Sequence, residues 1–275
     1  MDHLKAEHGL SIAKACNCVG LSRSSYYRPN VDWRIKDADV IEGLNKALSH
    51  CGRWGFWKCY DWLRWKGYDW NHKRVYRVYC LLGLNQPRRT KRRLPARERR
   101  PLDVVDQANV MWALDFVHDT LFNGKRFRTL NVIDEGVREC LAIEVDTSLP
   151  AERVVRVLDR LKEWRGLPVQ IRLDNGPELI SNKLARWCEE NKIELAFIQP
   201  GKPTQNAFVE RFNRTFRNEV LNAHLFDSLA QVQEMAWWWM IEYNEERPHD
   251  STGRVPPTEY RKKLEREMST LELSH

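Results

Sequence analysis

Residues 169–220 read VQIRLDNGPELISNKLARWCEENKIELAFIQPGKPTQNAFVERFNRTFRNEV. The opening alternates apolar Val169, Ile171 and Leu173 and ends at Asp174, followed by Asn175-Gly176-Pro177. That pattern predicts a strand running into a tight turn. A carboxylate at a strand end projects toward the loops. The close of the stretch has helical spacing: Val209, Phe212, Phe216 and Val220 recur every three or four residues, which marks a buried helical stripe. Gly201, Pro203 and Thr204 punctuate its start, with Thr204 as a cap. Glu210 lies roughly 100° round from Val209, at the margin of that stripe. Asn206, Asn213, Arg214 and Arg217 share its side of the helix. A carboxylate at a core margin, flanked by amides and arginines, suits a metal ion meeting a polyanion.

A third acid lies upstream. Residues 110–117 form an apolar run interrupted only by Asp115. An acid in the middle of a strand core is costly unless it is paired or holds a metal. Fifty-eight residues separate Asp115 from Asp174, and 35 separate Asp174 from Glu210. Further strands are expected at 127–133, 140–145 and 193–198, with a hairpin turn at Asn123-Gly124. Helices are expected at 151–164 and 182–191, and a long one at 225–243. Asp134 is a rival acid, but its expected role is to brace the neighbouring turn. Asp119, Glu144 and Asp146 read as surface or strand-edge acids. Trp237, Trp238 and Trp239 cannot all face one way on a helix, so at least one is exposed.

The net charge is +7 and unevenly spread. Residues 1–100 hold 22 Lys and Arg against 9 Asp and Glu, a balance of +13; residues 101–275 hold 23 against 29, a balance of −6. The front half is the electrostatic footing for a polyanion, and the rear half carries the acids. Seven cysteines are scattered without a CxxC pair, which fits free thiols in a reducing compartment. His3, His8, Cys16 and Cys18 lack zinc-site spacing. No apolar run is long enough to span a membrane and no secretory h-region is visible. The expectation is a cytoplasmic, nucleoid-associated protein.

The front half reads as helical. Residues 9–28 predict two short helices around Val19-Gly20-Leu21, the second capped by Ser22 and presenting Arg23, as in a helix-turn-helix. Further helices are expected at 35–49, 55–66 and 72–82. The last places Lys73, Arg74 and Arg77 on successive turns beside Tyr76 and Tyr79, a pattern suited to phosphate contact. The run Arg88-Arg89-Thr90-Lys91-Arg92-Arg93 has no apolar period and reads as a basic linker. The expected domains are a partial helix-turn-helix at 1–30, a helical DNA-binding domain at 31–87, a basic linker at 88–104, a catalytic domain at 105–265 and a tail at 266–275.

Five ordered strings carry a resemblance. Trp112-Ala113-Leu114-Asp115, Asp174-Asn175-Gly176-Pro177-Glu178, the run 201–206, the run 210–217 and the run 243–249 resemble the second-reading-frame product of insertion-sequence family three. That family lies in the DDE transposase and retroviral integrase superfamily. The likeness extends over 11–260.

It implies an α/β ribonuclease-H-like fold: a mixed five-stranded sheet with flanking helices, preceded by an all-α helix-turn-helix-type DNA-binding region. In that fold the first and fourth strands are neighbours, which brings Asp115 near Asp174. The resemblance implies Asp115, Asp174 and Glu210 as catalytic residues and as ligands of two Mg²⁺ ions, with Mn²⁺ able to substitute. Asp115 is expected to bridge the ions. It implies cleavage at transposon ends followed by strand transfer. Arg217, Arg214, Asn213, Lys202, Gln205 and Asn206 are expected to approach DNA, as are Arg92 and Arg93 of the linker. The partners implied are inverted-repeat ends, target DNA, further copies of the chain in a synaptic complex, and a first-reading-frame product that frameshifting can fuse upstream. Two other classes remain open on sequence: a non-catalytic DNA-binding regulator and a structure-specific nuclease.

Overall fold

The computed structural model describes residues 2–28, 32–85, 106–174, 176, 179–198 and 206–272. The chain divides into two compact units, Met1–Gly43 and Leu44–His275.

The first unit contains α1 (Asp2–His8), α2 (Ile12–Cys18), α3 (Arg23–Tyr27), α4 (Trp33–Lys36) and the start of α5 (Ala38–His50). The Ser11 hydroxyl caps α2 by accepting from the Lys14 amide, and Ser22 caps α3 by accepting from Ser25 at 3.1 Å. Gly20 turns between them at φ 66°, a left-handed conformation that costs glycine nothing. Ala15 and Cys16 are buried beneath this turn.

The second unit opens with the rest of α5, then α6 (Phe56–Trp65) and α7 (His72–Leu81), the latter capped by Asn71. After the linker come β1 (Met111–Thr120), β2 (Arg126–Asp134), β3 (Cys140–Asp146), α8 (Ala151–Arg165), β4 (Gln170–Leu173), α9 (Asn182–Glu190) and β5 (Glu194–Phe197). The chain continues through α10 (Ala207–Phe216), a π-helical turn (Arg217–Leu221), α11 (Leu229–Glu245), a 3₁₀ turn (Asp250–Thr252) and α12 (Pro257–Glu272).

The sheet order is β3-β2-β1-β4-β5. The hairpin-linked strands β1, β2 and β3 pair antiparallel, whereas β4 and β5 are parallel additions beside β1. This is the mixed five-stranded sheet expected from the resemblance. β1 is central and covered on both faces, which explains its nearly unbroken apolar run. On one face Trp112 and Leu114 join Leu158, Ile171, Leu173 and Leu184 under α8 and α9. On the other, Ala113 and Val117 join Val209, Phe212, Phe216, Val232 and Trp239 under α10 and α11. The two-residue period of a strand therefore assigns Asp115 to the α10 face.

The apolar stripe expected from Val209 to Val220 is buried throughout, but α-helical geometry stops at Phe216 and the π-helical turn carries Val220. Arg217 stands at this change of pitch. Its guanidinium bonds the His118 carbonyl at 2.6 Å and Asp119 at 3.3 Å, tying the turn to the end of β1. Trp239 is buried while Trp237 and Trp238 are exposed, as three consecutive helical positions require.

α6 packs into the same unit as the sheet. The Trp62 indole donates to Glu246 at 3.2 Å, Lys66 pairs with Glu246 at 2.9 Å, and the Lys58 ammonium reaches the Pro248 carbonyl at 3.2 Å. Glu242 lies in this junction. Burial, reinforced by the neighbouring Glu219 charge, pushes its carboxyl up to about 7.

Two outcomes follow from this packing. Phe212 is 2% exposed and meets Trp239 and Tyr243 edge-on at 5.5 and 5.0 Å. Phe212→Ala is expected to cost about 3–5 kcal/mol of unfolding free energy, seen as a lower urea midpoint with an unchanged slope. Glu242 binds its proton more tightly folded than unfolded. Its contribution to stability is therefore complete below pH 4.5, the ordinary value, and is lost as pH rises toward about 7. Urea midpoints measured across that window should fall for the natural chain and stay flatter for Glu242→Gln.

Candidate active site

Asp115 is the fixed point of the site. It follows Leu114, which pairs with Leu173 in the parallel β1–β4 ladder, so Asp174 directly follows the partner position. Across the sheet Asp115 faces Asn131 of β2. Its Oδ1 accepts from the Phe116 amide at 2.8 Å and its Oδ2 from the Asn213 side-chain amide at 2.8 Å. The Asn213 Oδ1 in turn accepts from Asn131 Nδ2 at 2.6 Å, and Thr129 donates to Asn131 at 3.1 Å. A hydrogen-bonded relay thus runs from β2 through α10 to Asp115.

Glu210 sits one turn before Asn213 and is exposed. The relay that locks Asn213 therefore sets the position of Glu210 relative to β1. Burial pushes the Asp115 carboxyl up to about 6; the Asp174 and Glu210 charges raise it further, against the Phe116 and Asn213 hydrogen bonds. Asp174 is shaped by its own turn, with Oδ1 accepting from the Gly176 amide at 3.0 Å. A Cβ at position 176 would stand 3.0 Å from that oxygen, so any larger residue there would press on the Asp174 carboxylate.

Among the described residues, no three His, Cys, Asp or Glu side chains are gathered tightly enough to hold a metal ion. The donor chemistry fits one nonetheless. Three carboxylates offer only oxygen, which hard divalent cations prefer. Mutual repulsion already raises the Asp115 carboxyl, and a cation among the three would relieve it.

Comparison with known proteins places this arrangement. An integrase core domain family matches residues 105–203, a second integrase core family matches 191–257, and an HTH-like domain family matches 39–93. A protein of insertion element IS407 from Burkholderia multivorans is 38% identical over 263 residues, covering 94% of each chain. A protein of insertion element IS476 from Xanthomonas euvesicatoria is 39% identical over 251 residues, covering 91% of this chain and 72% of its own.

The chain belongs to the second-reading-frame transposases of insertion-sequence family three. It lies within the DDE transposase and integrase superfamily. Among solved structures, the HTLV-2 integrase catalytic core in complex with magnesium is similar at 17% identity and a TM-score of 0.46, over 55% of this chain and 96% of that one.

In this transposase the residues expected near DNA separate into distinct settings. Arg214 is exposed beside the acids. Asn213 and Arg217 are engaged within the protein, as bracket to Asp115 and as tether to β1, because both find acceptors on the strand beneath them. Asn206, expected to reach DNA, is instead 2% exposed at the first turn of α10. Lys202, Gln205, Arg92 and Arg93 lie outside the described residues. Arg23 is exposed on α3. Lys73 and Arg77 line a shallow hollow on α6 and α7 with Trp57, His72 and Tyr76, while Arg74 is half-buried. Basic and aromatic groups so interleaved suit nucleic acid.

Asp134 is fully buried, accepting from the Asn109 and Gly136 amides at 2.8 and 3.0 Å and from Arg165 at 3.2 Å. It braces its turn. Asn131 escaped the sequence reading, although a polar residue between Leu130 and Val132 is the same kind of signal as Asp115 between Leu114 and Phe116.

The relay makes a measurable claim about Asp115. The Asn213 bond favours the ionised carboxylate, so Asn213→Ala should raise the Asp115 pKa above about 6. A carboxyl-carbon NMR titration reads this directly, and a fall or no change would show that the bond does not act on Asp115.

Proposed function

We propose that this transposase binds the ends of its insertion element and performs metal-dependent 3′-end cleavage and strand transfer with Asp115, Asp174 and Glu210. One observation carries the reading: the parallel β1–β4 ladder brings Asp115 and Asp174 to neighbouring strand positions, and Asn213 of the helix that bears Glu210 holds Asp115 at 2.8 Å. Asp115, Asp174 and Glu210 would hold Mg²⁺, with Mn²⁺ an acceptable substitute; the HTLV-2 integrase core was solved with magnesium. Two such ions supply an activated hydroxyl and charge neutralisation at the leaving oxygen.

The remaining work belongs to the chain. Asn131 and Asn213 orient Asp115 so that both its oxygens have fixed directions. Gly176 holds the Asp174 carboxylate at the mouth of the β4 turn. Exposed Arg214 lies on the Glu210 side of α10, where the scissile strand would pass, and offers a cation to its phosphates. The hollow bearing Lys73 and Arg77, within the stretch matched by the HTH-like family, the helical pair α2 and α3 and the basic run at 88–104 serve as end-binding parts. The same oxygen donors serve both steps: water attacks first, and the freed 3′-hydroxyl then attacks a target phosphodiester. Two ends cut together call for more than one copy of the chain. A first-reading-frame partner fits the same family pattern, as does work at the nucleoid.

Asp115→Asn, Asp174→Asn and Glu210→Gln should each retain end binding while losing Mg²⁺-dependent nicking and strand transfer by orders of magnitude. A gel assay on element-end duplexes measures both properties. Wild-type nicking rates in any one variant remove that residue from the site, and a natural chain that binds but never nicks is a regulator instead.

A further inference from the structure

A second polar site lies on another side of α10, the one that bears Phe208, Arg211 and Thr215. A cavity of about 140 Å³ is lined by Lys58, Arg138, Arg211, Arg247, His249 and Asp250. These residues come from α6, the β2–β3 turn, α10 and the segment after α11. Of the four cations, Arg247 is paired with Glu219. Lys58 reaches only the uncharged Pro248 carbonyl by hydrogen bond. Among the described residues, Arg211 has no ion-pair partner. The one acid in the lining is Asp250, so four cations and a single carboxylate face the cavity itself; Asp106 and Glu135 act on Arg138 from behind it.

Two details show donors left waiting. Arg138 Nε and Nη1 are buried without any hydrogen-bond partner, as is His249 Nε2. Buried polar atoms are otherwise almost always satisfied. Arg138 is also held at φ 63°, a left-handed conformation uncommon outside glycine, with its guanidinium 3.7 Å above the Phe208 ring. Backbone strain spent on aiming a charged group is a feature of ligand sites. Burial, with the Arg247 charge beside it, pushes Lys58 down to about 8 against the opposing charges of Glu219, Asp250 and Asp61. Water in the cavity satisfies donors but does not offset charge. A tetrahedral oxyanion does both, because its oxygens accept from several donors at once.

We propose that this cavity binds a phosphate group. On the reading that the chain handles DNA, the occupant is a backbone phosphate next to the one being cut. Glu210 and Arg211 are consecutive on α10, so one short helical segment would address the metal-binding acids with one residue and an adjacent phosphate with the next. Lys58 of α6 would join the grip, coupling the helical segment to the nuclease core through the DNA itself.

The test uses thermal unfolding of the full chain with inorganic phosphate, balanced against chloride at constant ionic strength. The natural chain should be stabilised by phosphate beyond chloride. Arg211→Gln, an exposed position that does not threaten folding, and Arg138→Asn, which tolerates the left-handed backbone, should each weaken phosphate affinity by about tenfold or more. Arg211→Gln should leave the melting temperature in chloride within a degree or two, because that side chain is exposed, and both variants should keep a cooperative unfolding transition. A second arm measures binding of an element-end duplex against salt. A slope reduced by about one in the variants assigns the phosphate to DNA. A lost phosphate response with an unchanged slope assigns the site to a free phosphorylated ligand. Absence of phosphate stabilisation in the natural chain, or a full response in both variants, overturns the proposal. Mg²⁺-dependent nicking by the natural chain is read separately, so failure here is distinct from failure of the transposase chemistry.

Discussion

The hydrogen bond from Asn213 to Asp115 is the joint on which the geometry of the site turns. It spans 98 residues of sequence and fastens α10 to the central strand at the point where a carboxylate stands half-buried. Such a carboxylate is costly in an apolar sheet. The amide offsets part of that cost, and Asn131 fixes which way the amide points by supplying its oxygen with a donor. Without the relay α10 would still pack through Phe212 and Phe216 and keep the Arg217 tie to β1 at its end, but the polar link one turn from Glu210 would be gone.

The same helix organises two chemistries of opposite sign. On one side it carries Glu210 and, through Asn213, holds Asp115 of β1. Toward the segment after α11 it shows Arg211 to the cavity lined by Lys58, Arg138 and Arg247. A polyanion with a cation-dependent reaction centre needs both: carboxylates where metal and scissile phosphate meet, and cations where the neighbouring backbone is gripped.

The helical segment carrying α6 and α7 is not a detached module. Trp62, Lys66 and Lys58 engage Glu246 and Pro248, and Arg53 donates to the Asn218 carbonyl. The network around Glu219, Glu242, Glu246 and Arg247 is partly buried and mixes charges that hold one another in register. It lies just past the π-helical turn that ends α10. α6 is thereby joined through these contacts to the segment that follows the helix bearing Glu210.

Much of this was legible in the residues themselves. Alternation and apolar runs announced the five strands, and the polar interruption at Asp115 and the turn after Asp174 announced two of the acids, because strand period and turn chemistry are local properties. The stripe from Val209 to Val220 announced the helix and put Glu210 at its margin. What Asn213 and Arg217 bind was decided only in three dimensions. Helical phase placed both beside Glu210, where contact with DNA was the natural reading, but their partners lie on β1 and β2, far away in sequence. The π-helical turn, the burial of Asn206 and the cationic cavity have the same origin. Each depends on which distant side chains arrive to satisfy or fail to satisfy a charge, and no local spacing encodes that. The sequence alone determined the elements and their chemical inventory; the tertiary structure decided which groups are paired and which are left to hold a ligand, since pairing is settled by through-space contact between separate elements.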